Sequence, residues 1–187
     1  MKDTIGFIGC GNMAQAMIGG VVSSGLFTGA QIIAYDPSEA QRRKVAEKFG
    51  IRTAESNIGV ASEADYLVLA VKPFVYADVL REIAGHTKKD VIVIVIAVGV
   101  EFSDVKDILG KDTKVIRTQP STPAFVGESD STVCPDDLMT EQDIEAVMTI
   151  FKSFGRVEII SEKLMNVVPS IASSAPAYTM LLIEAMA

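Results

Sequence analysis

Gly9, Gly11 and Ala14 form the spacing Gly-x-Gly-x-x-Ala, directly after one apolar run and at the start of a helical one. The chemistry that needs this pattern is the holding of a pyrophosphate by backbone rather than by side chains. Gly9 permits the tight turn, Gly11 removes a side chain from the path of the phosphates, and Ala14 lets helix and strand pack closely. N–H groups at the helix N-terminus, with the positive end of its dipole, supply the attraction. Asp36 ends the next apolar run. A carboxylate there accepts from an adenosine 2′-hydroxyl and repels a 2′-phosphate, which leans toward NADH. Arg42 and Arg43 follow on a helix, either reaching for such a phosphate or standing as solvated charges, so the choice between NADH and NADPH stays open. Two further runs end in Ala70-Val71-Lys72-Pro73 and Ala97-Val98-Gly99. A lysine there is placed to contact the nicotinamide ribose, and small residues let the backbone approach the ring. Cys10 reads as a small filler and His86 as a surface residue. No spacing of Cys, His, Asp or Glu suggests a metal site.

These residues need elements to position them. Short β-branched runs alternate with stretches of helical period, which predicts strands at residues 4–8, 31–35, 51–53, 66–71, 91–97, 114–118 and 156–160. Helices are expected at 12–24, from Pro37 at its N1 position, and from Thr140 to about residue 154, with Asp143 in the capping-box position. The continuous apolar runs at 66–71 and 91–97 suit strands covered on both faces of a parallel sheet. Strands and helices in this rhythm predict an α/β, Rossmann-like, doubly wound and mainly parallel sheet. The C-terminal stretch 175–187 also reads as helical, but Met180, Leu181, Leu182 and Ile183 face every direction around the axis. A helix apolar all round must be buried, either on its own domain or, as favoured here, by a second subunit or a further domain.

Composition narrows the class. The chain has 187 residues and a net charge of −7, which argues against nucleic acid or an anionic membrane as partner. With 49 % hydrophobic residues it can build a core, and two cysteines make no disulfide framework. The expectation is a soluble, cytoplasmic protein.

The segments Ile5-Gly-Phe-Ile-Gly-Cys-Gly-Asn-Met-Ala14, Ala70-Val-Lys-Pro73, Thr122-Pro-Ala-Phe-Val-Gly-Glu128 and Pro176-Ala-Tyr178 with Ile183-Glu-Ala185 together resemble pyrroline-5-carboxylate reductase, in colinear order along essentially the whole chain. The resemblance implies reduction of the cyclic imine 1-pyrroline-5-carboxylate to L-proline, the last step of proline biosynthesis, by hydride from NADPH or NADH; the resemblance favours NADPH where Asp36 favours NADH. By position it implies a phosphate loop of Gly9, Cys10, Gly11, Asn12 and Met13. It also implies an adenosine side at Asp36 and Asn57, and a nicotinamide side at Ala70, Val71, Lys72, Pro73 and Ala97. Ser121, Thr122 and Pro123 are the candidates for facing substrate, with a pre-proline structural turn as the alternative reading; no proton donor to the imine is identified. The resemblance further implies a dinucleotide-binding domain over residues 1–161. Residues 162–187 would then begin a helical domain that forms a homo-oligomer.

Several positions depart from the family pattern, and they cluster on the expected nicotinamide and substrate side: Gln119 and Ser121 within Arg117–Pro123, Pro169 after Val168, Ala172 and Ala175 before Pro176, and Ala97-Val98-Gly99. A competing reading is therefore a non-catalytic dinucleotide-binding fragment or inactive relative. Another dehydrogenase with a Rossmann domain followed by helices is a third.

Overall fold

Isoleucine, valine and leucine occupy both faces of the central strands, so the sheet has to be covered twice. The computed structural model describes residues 3–187, without the side chains of residues 172 and 173. The strands are β1 (Ile5–Ile8), β2 (Ile32–Tyr35), β3 (Arg52–Thr53), β4 (Tyr66–Leu69), β5 (Ile92–Val95), β6 (Lys114–Gln119), β7 (Ser129–Pro135) and β8 (Gly155–Ile159). The helices are α1 (Asn12–Ser23), α2 (Glu39–Phe49), α3 (Asn57–Glu63), α4 (Tyr76–Ile83), α5 (Phe102–Leu109), α6 (Glu141–Lys152), α7 (Glu162–Met165) and α8 (Ala175–Met186). The strands form one sheet in the order β3-β2-β1-β4-β5-β6-β7-β8. All neighbours are parallel except β6 and β7, which is the doubly wound fold expected from the sequence. After β3 the chain returns to place β4 on the other side of β1. That reversal opens a crevice beyond the carboxyl ends of β1 and β4, where open α/β sheets bind ligands.

One face of the sheet is packed by Met17 and Val21 of α1 with Ile150 and Phe151 of α6. The other is packed by Val60 of α3, Leu80 and Ile83 of α4, and Val105 of α5. A Cβ at Gly20 would stand 2.3 Å from the Phe154 Cβ, so that glycine sets how closely α1 approaches the residue before β8. Among the described residues, no helix is long and apolar enough to cross a membrane.

Two expectations change, and one strand is added. Pro37 does not open α2: Ser38 is the N-cap, its hydroxyl accepting from Gln41 N–H, and helix begins at Glu39. The reason is Asp36, whose Oδ1 accepts from Ser38 N–H and holds residues 36–38 in a turn. Strand β7 has no apolar signature in the sequence, because its inward positions include Ser129 and Ser131. Their hydroxyls lie 2.8 Å apart and satisfy each other inside the sheet. The C-terminal helix forms as expected but is not docked. Tyr178, Met180, Leu181, Leu182, Ile183 and Met186 are each more than half exposed, which overturns the reading that its own domain buries it.

Before that helix, α7 lies on the sheet. Arg117, buried within β6, pairs with Glu162 at 2.8 Å and reaches Asn166, while Gln119 Nε2 donates to the Met165 carbonyl at 2.6 Å. Pro169 opens a π-helical stretch (Pro169–Ser173) and its carbonyl accepts from both the N–H and the hydroxyl of Ser174. The departure read at Ala172 lies outside the described side chains.

Candidate functional site

The loop from β1 to α1 is braced from three sides. Gly9 N–H donates to the Tyr35 carbonyl at 2.7 Å, Cys10 N–H donates to Asp36 Oδ2 at 2.9 Å, and Gln15 Nε2 donates to the Cys10 carbonyl at 2.9 Å. A trans peptide points its C=O and N–H opposite ways. With the Cys10 carbonyl drawn toward Gln15, the Gly11 N–H therefore points away from it. Gln15 sits one residue beyond the glycine motif, buried in the first turn of α1, and only its polarity at a buried helical position distinguished it in the sequence. Burial, reinforced by the Asp36 carboxylate, pushes the Cys10 thiol up to about 12 and so keeps it protonated, which agrees with its reading as a filler.

The two glycines of the motif do different work. Gly9 has φ +99°, and a Cβ there would stand 2.5 Å from the Ala70 carbonyl oxygen, so glycine is required for β1 and β4 to approach. Gly11 has φ −69° and nothing within 4 Å of where its Cβ would stand. Neither backbone geometry nor any neighbouring atom requires a glycine at 11; its missing side chain keeps the space beside α1 clear. Gly11 is also the N-cap of α1 and offers no side-chain oxygen, whereas Ser38, Ser56 and Thr140 cap α2, α3 and α6. No acidic residue occupies the first turn of α1. The N–H groups of its first turn and the positive end of its dipole are thus left for an anion. This cradle, which a Cβ would fill, fits a dinucleotide pyrophosphate. Asn12 is exposed and Met13 half-buried at its edge.

Asp36 and Arg42 meet at the carboxyl end of β2. Both carboxylate oxygens of Asp36 already accept backbone N–H groups, from Cys10 and Ser38. Arg42 donates to the Asp36 carbonyl at 2.7 Å, stacks over the Tyr35 ring at 5.4 Å and lies 3.7 Å from Glu55. Arg43 points away, paired with Glu39 on the solvent side. Asn57, the first residue of α3, gives its amide to Glu82 at 2.6 Å.

The carboxyl ends of β4 and β5 lie side by side, with Leu69 opposite Val95. The segment Ala70–Pro73 leaves the first, Lys72 exposed and Pro73 opening a tight turn (Pro73–Val75). Ala97 leaves the second, half-buried, ahead of a turn that Gly99 makes with φ +80°. Beneath the strand ends lies Tyr76, whose hydroxyl donates to the Leu69 carbonyl and which carries no signal in the sequence beyond that of a core aromatic.

The substrate-side candidates divide. Ser121 is buried and turned inward: its hydroxyl accepts from Asp130 N–H at 2.9 Å and lies 3.4 Å from Ser129 Oγ. Thr122 is exposed and Pro123 half-buried, at the start of a 3-10 turn (Thr122–Val126) that packs beside α1.

Comparison with known proteins adds a second line. A family model described as NADP oxidoreductase coenzyme F420-dependent matches residues 4–99. The chain is 42 % identical over 187 residues to the pyrroline-5-carboxylate reductase of Escherichia coli strain K12, covering all of this chain and 70 % of that one. It is 36 % identical over 186 residues to the enzyme of the same name from Methanosarcina acetivorans, of which it covers 69 %. A crystal structure of Plasmodium falciparum pyrroline carboxylate reductase with NADP bound superposes with a TM-score of 0.89 at 28 % identity, over 98 % of this chain and 67 % of that one.

Proposed function

This chain belongs to the pyrroline-5-carboxylate reductase family, and on that premise we propose that it reduces 1-pyrroline-5-carboxylate to L-proline at the crevice beyond β1, β4 and β5. The observation that carries the reading is the uncapped glycine N-terminus of α1, open at Gly11 and braced by Asp36 and Gln15, within a chain similar to such reductases over its whole length. The cofactor is a nicotinamide dinucleotide. When bound in its reduced form it supplies hydride to the imine carbon, while a proton reaches the imine nitrogen.

The chain's part is binding and orientation. The first-turn N–H groups of α1 hold the pyrophosphate, with Gly9, Cys10, Gly11, Asn12 and Met13 as the loop. Asp36 faces the adenosine ribose, and its fixed negative charge opposes a 2′-phosphate, so we read NADH as the preferred donor. Arg42 is already engaged by the Asp36 carbonyl and Tyr35, which leaves it poorly placed to offset that charge. Asn57 completes the adenosine side. Ala70, Val71, Lys72, Pro73 and Ala97 line the nicotinamide side, and Thr122 and Pro123 stand toward the substrate while Ser121 shapes their turn. The exposed apolar side chains from Ile171 to Met186 support homo-oligomerisation through this region. Two free, buried thiols accord with a reducing, cytoplasmic setting.

The test is oxidation of NADH and of NADPH by the purified protein, with and without 1-pyrroline-5-carboxylate. The reading expects oxidation that depends on the imine and runs faster with NADH. Dinucleotide binding without any imine-dependent oxidation would instead support the non-catalytic alternative.

A further inference from the structure

Tyr76 lies beneath the paired ends of β4 and β5, where Leu69 stands opposite Val95. Its hydroxyl donates to the carbonyl of Leu69, the last residue of β4, and the backbone N–H groups of Ile96 and Ala97, just past the end of β5, lie against its oxygen. The side chain is 4 % exposed. The ring comes from the first turn of α4, reached through the tight turn that follows Lys72–Pro73. One hydroxyl therefore touches the roots of both segments, Ala70–Pro73 and Ala97, assigned above to the nicotinamide side. It is remote in sequence from the glycine loop and from Asp36.

We propose that Tyr76 is a positioning residue for the nicotinamide half of the cofactor: its hydroxyl fixes the spacing between the ends of β4 and β5, and hence the slot between Ala70 and Ala97. The proposal rests on the functional reading above. The buried hydroxyl donates to the Leu69 carbonyl and has the N–H groups of Ile96 and Ala97 beside it, so a single polar atom faces both strand ends. A phenylalanine of the same shape would remove the bond to Leu69 and the polar atom beside Ile96 and Ala97. Desolvation pushes the phenol well above its ordinary range, so it stays protonated and donating throughout the working pH range. The adenosine half, held by the glycine loop and the end of β2, has no contact with this residue and is not expected to sense it.

The experiment compares Tyr76→Phe with the unmodified full chain, measuring dissociation constants for ADP, which carries only the adenosine half, and for NADH. The expected result is a loss of about tenfold in NADH affinity, with ADP affinity changed less than about twofold. Equal losses for both ligands, or no loss for either, would overturn the proposal, since a merely structural role moves both together. If Tyr76→Phe fails to fold, Tyr76→Met, which fills the volume with a flexible apolar chain, takes its place under the same two outcomes. Binding of neither ligand by the unmodified protein would overturn the dinucleotide reading itself, and this proposal with it.

Discussion

An alanine at position 9 would carry its Cβ to 2.5 Å from the Ala70 carbonyl in a backbone at φ +99°, whereas at position 11 it would meet nothing within 4 Å. Gly9→Ala should therefore lower stability by about 1–3 kcal/mol, read as a lower urea midpoint. At Asp36, Asn keeps an oxygen for Cys10 N–H but removes the charge proposed to face the ribose. Asp36→Asn is expected to raise the NADPH-to-NADH affinity ratio about tenfold; an unchanged ratio would mean that this carboxylate does not discriminate. Cys10, with its thiol held near 12 and fully buried, should resist thiol reagents at mildly alkaline pH until the protein unfolds. At this scale the sequence announced the glycines and Asp36, because the motif spacing and the order of strand, loop, helix and strand mark them. It did not announce Gln15 or Tyr76, whose partners are main-chain carbonyls of Cys10 and Leu69 that carry no signature of their own in the sequence.

Helix α6 shows how an element's stability is written in its first turn. Thr140 Oγ1 accepts from Asp143 N–H, and Asp143 Oδ2 accepts from Thr140 N–H and Oγ1 and pairs with Lys114 at 2.7 Å. Burial alone would raise the Asp143 carboxyl, but Lys114 and Thr140 outweigh it and hold the group below its ordinary range. A depressed folded-state value contributes stability that is present above the unfolded value, about 3.9, and lost as pH falls through the lower folded one. Asp143→Ala should thus cost about 1–2 kcal/mol near neutral pH. The gap to the unmodified protein should narrow on acidification below about pH 4, as measured by thermal or urea unfolding across pH. This capping box was legible from Thr140 and Asp143 alone. The start of α2 was not, because the Asp36 turn displaced Pro37 from the helix. Strand β7 was invisible because paired serine hydroxyls occupy positions where a strand normally shows apolar side chains.

At the scale of the molecule, the alternation of apolar runs and helical stretches was enough to read the doubly wound sheet, and the glycine motif was enough to find its crevice. What the alternation could not reveal is that α7 belongs against the sheet, tied by Arg117 and Gln119, while α8 beyond it stands in solvent. Apolar burial is worth about 25 cal/mol per Å², so the exposed side chains of α8 favour association. Sedimentation is expected to show a concentration-dependent shift from monomer to dimer or larger species, and a single monomeric boundary at high concentration would argue against it. The central claim is that the open N-terminus of α1 holds a nicotinamide dinucleotide. Its most direct test is a fluorescence titration of NADH into the unmodified chain and into Gly11→Val, beside their urea unfolding curves. Saturable binding that the valine abolishes, with stability changed by less than about 1 kcal/mol, is the predicted result. Binding that survives the valine would contradict it, because the pyrophosphate would then lie somewhere other than this cradle.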